Sequence, residues 1–370
     1  MKKNILVIDD SAFMRRVISD IINQDDEFNV KYMAGNGSVA LETVESCKDV
    51  DGIFLDLCMP VMDGLTFLKE CRKREINIPV ILVSSSVDRD GAETMQALEC
   101  GAWDFLKKPD RLSKMREDDF RLQVIKRLDL LRTNSGKTDK VRNSNSVSGV
   151  HHKFNYKQNR KPFQQTNLKP EKKGLEIGKN KLVALACSTG GPKALQMVIP
   201  YLPSNLNAPM VVVQHMPVGF TKSLSIRLDE LSKISVKEAE NNDILENGKV
   251  YIAQGGKHLS VVYEGGIHRI KLLDTPPRDA LRPCANVMYE SLAQSHFDEI
   301  VCVVLTGMGS DGTVGIQTLS KSQKLHVISQ DQESCVVYGM PRAIYETGLV
   351  NQVLPLNKIA DAITEQVGVS

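Results

Sequence analysis

The sequence has no apolar run long enough to cross a membrane. Its apolar stretches fall well short of the ~18 residues that a membrane-spanning helix needs. The apolar ILVI near the N-terminus is followed at once by two aspartates, so it is too short for the core of a signal peptide. We therefore expect a cytoplasmic protein that is not inserted in a membrane.

The eight cysteines include no C-x-x-C pair, which argues against a zinc site and against a thioredoxin-like redox centre. Several of them, such as Cys302 in IVCVVL, lie inside apolar runs, so buried free thiols are expected. The formal net charge is only +2, whereas nucleic-acid-binding domains usually carry a strong basic surplus. The sequence therefore predicts no nucleic-acid partner.

Short apolar runs alternate with amphipathic segments in both halves of the chain. In the first half the predicted strands are NILVIDD, GIFLDL, PVILVSS and AWDFLKK, and the predicted helices are Phe13 to Asn23, Leu65 to Arg74 and Gly91 to Cys100. In the second half the predicted strands are KLVALACS, MVVVQH, VYIAQ, IVCVVLTG and KLHVIS, with a helix over Ala285 to Ala293. Strands rich in Ile, Leu and Val with helices between them are typical of buried parallel sheets. The chain should therefore form two doubly wound α/β domains.

A polar segment separates the two halves. From Arg132 to Lys179 the chain holds twelve Lys or Arg against three acids, and its apolar residues are sparse. Such a segment buries too little surface to offset its ordering entropy, so we expect a flexible linker. The predicted boundaries are residues 1–125, 126–179 for the linker, and 180–370. A basic arm that contacts nucleic acid or an acidic partner is the alternative interpretation of the linker.

Polar residues follow four predicted strands of the first domain. Asp9 and Asp10 follow the first strand, and Asp56 ends GIFLDL. Ser84 ends the next strand and Lys108 the last. Because the carboxyl ends of parallel strands share one edge of the sheet, we expect these groups to converge. Clustered carboxylates favour Mg²⁺, and Asp56 is then placed to accept a phosphoryl group. Each aspartate alone would more simply form a turn or cap a helix.

Residues 1–125 resemble a response-regulator receiver domain in IDDS, LDLCMPVMDGL, the Ser84 strand end and FLKKP. The resemblance implies a flavodoxin-like fold, Asp56 as phosphoacceptor, and a histidine kinase as phosphodonor. It implies a Mg²⁺ site made by three carboxylates, those of Asp9, Asp10 and Asp56. It also implies three residues that support the phosphoryl site: Ser84, Lys108 and the aromatic switch residue Phe105.

Ser188 lies between an apolar strand and a probable helix in LVALACSTGGPKAL. The glycines and nearby helix N–H groups suit either a serine nucleophile or a bound anion, and at this point both stay open. His215 ends MVVVQH, and Asp311 lies in a Gly-rich loop after a strand. Alone, each has a simple structural explanation; together they supply nucleophile, base and orienting carboxylate. Backbone N–H groups of the Met308 loop are candidates for an oxyanion site.

Residues 180–370 resemble the catalytic domain of the chemotaxis protein-glutamate methylesterases, the CheB family. The shared motifs are ACSTGGPKAL, VVVQHMPVGFT, YIAQGGKHL, RPCANVMYESLA and LTGMGSDG. The resemblance implies a Rossmann-like domain without a cofactor, the triad Ser188, His215 and Asp311, and oxyanion support from Thr189 and Met308. It implies that methylated glutamates of chemotaxis receptors are hydrolysed to glutamate and methanol, and that glutamines are deamidated in some relatives. The unphosphorylated receiver would restrict access to this site.

Two further residues of the second half, Cys187 and Arg282, have predicted roles outside the triad. Cys187 is not expected to be catalytic, because it should point to the other side of the strand from Ser188. Arg282 either orients acidic receptor helices or forms a cap or surface pair.

The competing hypothesis is a non-enzymatic response regulator whose second half binds a partner or DNA. A binding module needs no triad, and a DNA-binding output needs a helix-turn-helix or a basic recognition face.

Overall fold

The computed structural model describes residues 2–84, 90–109, 118–133 and 180–370. The strands of the first half are β1 (Lys3–Ile8), β2 (Phe28–Ala34), β3 (Gly52–Asp56), β4 (Val80–Ser84) and β5 (Asp104–Lys107). Its helices are α1 (Ala12–Ile22), α2 (Gly37–Ser46), α3 (Gly64–Lys73), α4 (Asp90–Glu99) and α5 (Asp118–Thr133). The strands form one parallel sheet in the order β2-β1-β3-β4-β5, the order of a flavodoxin-like fold.

Helices cover both faces of this sheet. Apolar residues of α1 and α5, such as Ile18 and Leu128, pack on one face, and those of α2 and α3, such as Leu41 and Phe67, pack on the other. Strands β3 and β4 are buried along their whole length, which explains their unbroken apolar sequences. The Ser11 side chain caps α1 by accepting a hydrogen bond from the Met14 N–H.

The strands of the second half are β6 (Lys181–Cys187), β7 (Met210–Gln214), β8 (Ser235–Glu238), β9 (Lys249–Ile252), β10 (His258–Glu264), β11 (Ile267–Leu273), β12 (Glu299–Val304), β13 (Leu325–Gln330) and β14 (Gln352–Leu354). Its helices are α6 (Gly191–Gln196), α7 (Phe220–Leu231), α8 (Ala285–Ser291), α9 (Thr313–Leu319), α10 (Met340–Glu346) and α11 (Ile359–Val367). Seven strands form a parallel sheet in the order β14-β13-β12-β6-β7-β9-β8, and β10 and β11 form a separate antiparallel hairpin.

The two halves pack against each other through α4 and α7. The Arg227 guanidinium donates from Nε and a terminal nitrogen to the two Glu99 oxygens, at 2.8 and 3.2 Å. The ring of Phe105 lies against the ring of Phe220, with centroids 4.7 Å apart, and both rings are buried. Burying a ring of this size contributes roughly 2–3 kcal/mol, so the interface has an apolar centre beside a charged pair.

The structure confirms the two parallel-sheet domains and every strand predicted from an apolar run. Helix α5 crosses the predicted boundary at residue 125: it continues to Thr133, and its Leu128 and Leu131 side chains are buried in the core of the first domain. Five strands were not named from the sequence, namely β2, β8, β10, β11 and β14, nor were six helices, namely α2, α5, α7, α9, α10 and α11. The rest of the predicted linker, 134–179, lies outside the described residues. None of the described helices has both the length and the apolar composition to span a membrane.

Two candidate sites at the carboxyl ends of the strands

The first candidate site lies where β1, β3 and β5 end. Lys108 Nζ lies 2.7 Å from Asp9 Oδ2 and 2.8 Å from Asp56 Oδ2. Asp9, Asp10 and Asp56 each offer an oxygen within 4.8 Å of the others. Asp9, Asp56 and Lys108 are buried, and Asp10 is exposed at the rim. The structure thus brings together the four charged groups predicted for the phosphoryl site.

The charges of this site are not balanced. Burial raises the pKa of Asp56 to about 6, with the neighbouring Asp9 and Asp10 adding to the rise while Lys108 opposes it. Burial alone would lower the pKa of Lys108, but the Asp56 and Asp9 carboxylates raise it above its usual value. Three carboxylates around one ammonium leave an excess of negative charge. A hard divalent cation such as Mg²⁺ fits this set of oxygen ligands.

Ser84 and Phe105 lie on the adjacent strands β4 and β5, in different surroundings. Ser84 ends β4, next to the strand that carries Asp56, and its buried Oγ is 3.5 Å from the hydroxyl of Thr94. Phe105 lies in β5 and is turned inward against Phe220 of the second domain. The Arg127 guanidinium of α5 donates a hydrogen bond to the Phe105 carbonyl at 2.8 Å. The predicted switch residue therefore lies at the domain interface.

The second candidate site is built on the end of β6. Ser188 follows that strand directly, its N–H donates to the Thr306 carbonyl, and α6 begins three residues later. Gly190 has φ 76°, a left-handed conformation that favours glycine and allows the sharp turn into the helix. A Cβ added to Gly307 would lie 2.9 Å from the Ser188 Cβ. The loop that carries Met308 therefore runs beside the nucleophile candidate.

His215 and Asp311 are in direct contact. Nε2 of His215 lies 2.7 Å from Oδ2 of Asp311, and both side chains are largely buried. Two backbone N–H groups, from Ala285 and Asn286, donate to the same carboxylate at 2.6 and 2.9 Å, and the Cys284 thiol lies 3.1 Å from it. Burial alone would raise the pKa of Asp311, but His215 and these donors lower it to about 2. Asp311 is therefore held as a carboxylate that orients the imidazole.

Ser188 and His215 lie on neighbouring strand ends. The backbone N–H of His215 donates a hydrogen bond to the backbone carbonyl of Cys187, one residue before Ser188. Among the described residues, no hydrogen bond joins the Ser188 hydroxyl to the imidazole. Because Nε2 faces Asp311, Nδ1 is the ring nitrogen that remains for the serine. Catalytic hydrogen bonds are often long in an unliganded site and tighten when substrate binds.

The predicted oxyanion residues contribute differently. Within the described part of the chain, the N–H groups of Thr189 and Met308 have no hydrogen-bond acceptor, so both are available to an oxyanion. The Thr189 hydroxyl, however, donates to Asp104 Oδ2 of the first domain at 3.0 Å. Asp104 was not predicted, and only the contact between domains reveals it. Its neighbour Phe105 was predicted for its place in the receiver pattern alone.

Three other residues lie near the triad, and only one of them, Cys284, was not considered from the sequence. Arg282 donates to Asp274 Oδ1 and to the Thr275 carbonyl, which fits the surface-pair interpretation. Cys187 is fully buried, and burial raises the pKa of its thiol, so it is not a nucleophile. No local pattern indicates the contact of Cys284 with Asp311, because the two residues are 27 positions apart.

Comparison with known proteins finds two family domains in the chain. A family model described as CheB methylesterase matches residues 183–363, and one described as response regulator receiver domain matches residues 5–118. The chain is 39% identical over 98% of both chains to a protein-glutamate methylesterase/protein-glutamine glutaminase of Syntrophomonas wolfei, and 40% identical, again over 98% of both, to one of Bacillus subtilis. The solved CheB methylesterase catalytic domain of Thermotoga maritima covers 51% of this chain and 100% of its own length, with 42% identity and a TM-score of 0.50. The chain belongs to the CheB methylesterase family, with an N-terminal response-regulator receiver domain.

Proposed function

We propose that this chain is a phosphorylation-activated serine hydrolase that demethylates glutamate methyl esters, and deamidates glutamines, on chemotaxis receptors. The relatives named above carry both activities in their names. The observation that carries the proposal is the 2.7 Å contact between His215 and Asp311 beside the turn that presents Ser188. A partner-binding domain has no need of a buried carboxylate held to an imidazole next to a serine.

The proposed reaction is acyl transfer through the serine. His215 takes the proton from the Ser188 hydroxyl, and Ser188 Oγ attacks the ester carbonyl carbon. The N–H groups of Thr189 and Met308 stabilise the oxyanion that forms. As the tetrahedral intermediate collapses, the imidazolium protonates the ester oxygen that leaves, which departs as methanol, or the amide nitrogen of a glutamine, which departs as ammonia. Water, activated by the same imidazole, hydrolyses the acyl-enzyme to glutamate.

Asp311 keeps the imidazole in one orientation throughout these steps. Its low pKa means that it stays ionised and stabilises the imidazolium that forms when Ser188 loses its proton. The donors from Ala285, Asn286 and Cys284 hold the carboxylate itself. No metal or other cofactor is required in this domain for the proposed chemistry.

The receiver domain is proposed to restrain the hydrolase until Asp56 is phosphorylated by a histidine kinase of the chemotaxis pathway. Mg²⁺ held by Asp9, Asp10 and Asp56 would supply charge neutralisation for the phosphoryl group. Two neighbouring residues of β5 support the restraint: Asp104 contacts Thr189, next to Ser188, and Phe105 contacts Phe220, in the segment after His215. A phosphorylation-dependent shift of β5 would release both contacts.

Methanol release from a methylated receptor tests this proposal. The full-length chain should release methanol faster with Mg²⁺ and a small phosphodonor than without them. Asp56→Asn should keep the slow basal rate and lose the acceleration, and Ser188→Ala should release no methanol under either condition. Methanol release by Ser188→Ala at the wild-type rate would contradict the assigned nucleophile, and equal rates with and without phosphodonor would contradict the regulation.

A further inference from the structure

Gln214, the last residue of β7, is a buried amide that contacts the chain at both reacting residues. It is 2% exposed. Its Nε2 donates to the Ser188 carbonyl at 2.9 Å and to the His215 carbonyl at 3.2 Å. One side chain thus ties the backbone of the nucleophile to the backbone of the base, although these residues are 27 positions apart in the chain.

The orientation of this amide is set by a thiol on the neighbouring strand. The Cys187 Sγ lies 3.0 Å from Gln214 Oε1. Burial raises the pKa of Cys187, so the thiol keeps its proton and donates to that oxygen. Since Oε1 accepts from the thiol, the NH₂ group must face the two carbonyls. This contact gives a role to the cysteine that precedes the nucleophile.

The space around the amide is closed by Gly191. A Cβ added there would lie 1.9 Å from Gln214 Oε1 and 2.9 Å from its Cδ. Any side chain at position 191 would therefore displace the amide. The second glycine of the STGG turn leaves room for Gln214, in addition to allowing the helix to begin.

We propose that Gln214 is a positioning residue that sets the distance and orientation between Ser188 and His215. This inference rests on the proposed hydrolase function and extends it. Gln214 touches neither substrate nor the reacting atoms, so its loss should alter turnover and leave substrate binding nearly unchanged. Small misplacements of reacting groups cost large rate factors.

Gln214→Met tests the proposal, because methionine has similar length and no hydrogen-bonding amide. Gln323→Met is the matched control: the Gln323 Nε2 also donates to two backbone carbonyls, those of Ala293 and Ser295, in a part of the domain away from the triad. For methanol release, we expect kcat to fall roughly 10- to 100-fold in Gln214→Met with KM within about twofold of wild type. Gln323→Met should keep both constants within about twofold.

A second readout follows the base directly. The proton resonance of the imidazole N–H that faces Asp311 should move in Gln214→Met and stay in place in Gln323→Met. Gly191→Ala displaces the amide without removing it, so it should lower kcat in the same way, by roughly threefold to tenfold. Thermal unfolding of each variant identifies loss of folding.

The proposal is overturned if folded Gln214→Met keeps the kcat and the imidazole resonance of Gln323→Met, or if its loss of rate lies wholly in KM. If Gln214→Met does not fold, a Gly191→Ala variant with wild-type kcat and resonance overturns it. Failure of the proposed function has a different signature, namely a wild-type chain that releases no methanol. The imidazole resonance and the rate of Ser188 labelling by a phosphonate still test Gln214 in that case.

Discussion

Both halves of the molecule place a buried aspartate at the carboxyl edge of a parallel sheet, yet the pKa values of the two carboxyl groups are shifted in opposite directions. Burial and two neighbouring acids raise the pKa of Asp56 to about 6 in spite of Lys108. Burial would also raise the pKa of Asp311, but an imidazole and a set of N–H donors lower it to about 2. The same position at the sheet edge therefore holds a carboxyl group with a raised pKa in one half and one with a lowered pKa in the other. The charged groups and N–H donors around each carboxyl group determine the direction of its pKa shift.

The largest expected effect is a loss of hydrolase activity in the second half that leaves phosphorylation of the first half unchanged. Ser188→Ala removes the proposed nucleophile, so the rate of methanol release should fall by at least about 10⁴-fold, because a triad without its nucleophile loses most of its catalytic power. Phosphorylation of Asp56 should be unaffected. Initial rates of methanol release and of phosphoryl incorporation measure the two functions. Ser320→Ala is the control, because the half-buried Ser320 hydroxyl of the same domain donates to the Gln317 carbonyl at the end of α9.

The next effect tests the role of Asp311 as an anion. Its pKa is lower in the folded protein than the ordinary value of 3.8, so the stability it contributes is present above pH 3.8 and is lost as the pH falls through about 2. Asp311→Asn should therefore lower the free energy of unfolding at pH 7 by about 2 kcal/mol. It should also lower the rate of methanol release by roughly 10³- to 10⁴-fold. Denaturant titration and rate measurements at pH 7 check both values, and unchanged stability would contradict the donor arrangement.

Replacing Asp56, the buried aspartate of the receiver, with asparagine should change the free energy of unfolding in the opposite direction. The pKa of Asp56 is raised above 3.8 on folding, so the stability this group contributes is present below pH 3.8 and is lost as the pH rises through about 6. Asp56→Asn should then raise the free energy of unfolding at pH 7.5 by about 2 kcal/mol in metal-free buffer, with no gain near pH 3.5. Denaturant titrations at both pH values measure this. A destabilised Asp56→Asn variant would show that burial and the neighbouring acids do not outweigh the favourable contact of this carboxylate with Lys108.

The smallest effect concerns the contact between the halves. Glu99→Ala removes the carboxylate that pairs with Arg227, and partly exposed pairs contribute up to about 1 kcal/mol. We expect the basal rate of the unphosphorylated chain to rise roughly twofold to fivefold and the phosphorylated rate to stay the same. Glu45→Ala is the control, because Glu45 pairs with Arg74 inside the receiver. An equal rise in both variants would exclude a specific effect of the interface.

The fold could be predicted where burial leaves a mark on the sequence. Strands β3, β4, β6 and β12 are buried throughout and appear as unbroken apolar runs. Strand β2 is only partly buried and mixes polar with apolar residues, and the edge strands β8 and β14 are short, so their sequences carry little signal. The predicted domain boundary falls inside α5 for a related reason. The second half of α5 carries many charged residues and resembles the linker in composition, although its leucines pack in the core.

The residues of the candidate sites also differ in whether a local sequence pattern indicates them. Residues at the ends of apolar strands, such as Asp56, Ser188 and His215, could be placed because parallel strands share an edge. Asp104, Cys284 and Gln214 act through partners that are distant in sequence, and no local pattern marks them. Their contacts depend on how loops and domains meet, which composition and periodicity do not specify.

Strand β5 has a consequence for how signalling would alter the enzyme's kinetics. A receiver that only covered the entrance would compete with substrate, so phosphorylation would change KM and leave kcat alone. Asp104 and Phe105 instead reach the residue beside the nucleophile and the helix that follows the base. Phosphorylation acting through this strand would set the alignment of both reacting groups at once, and turnover at saturating substrate should rise together with access.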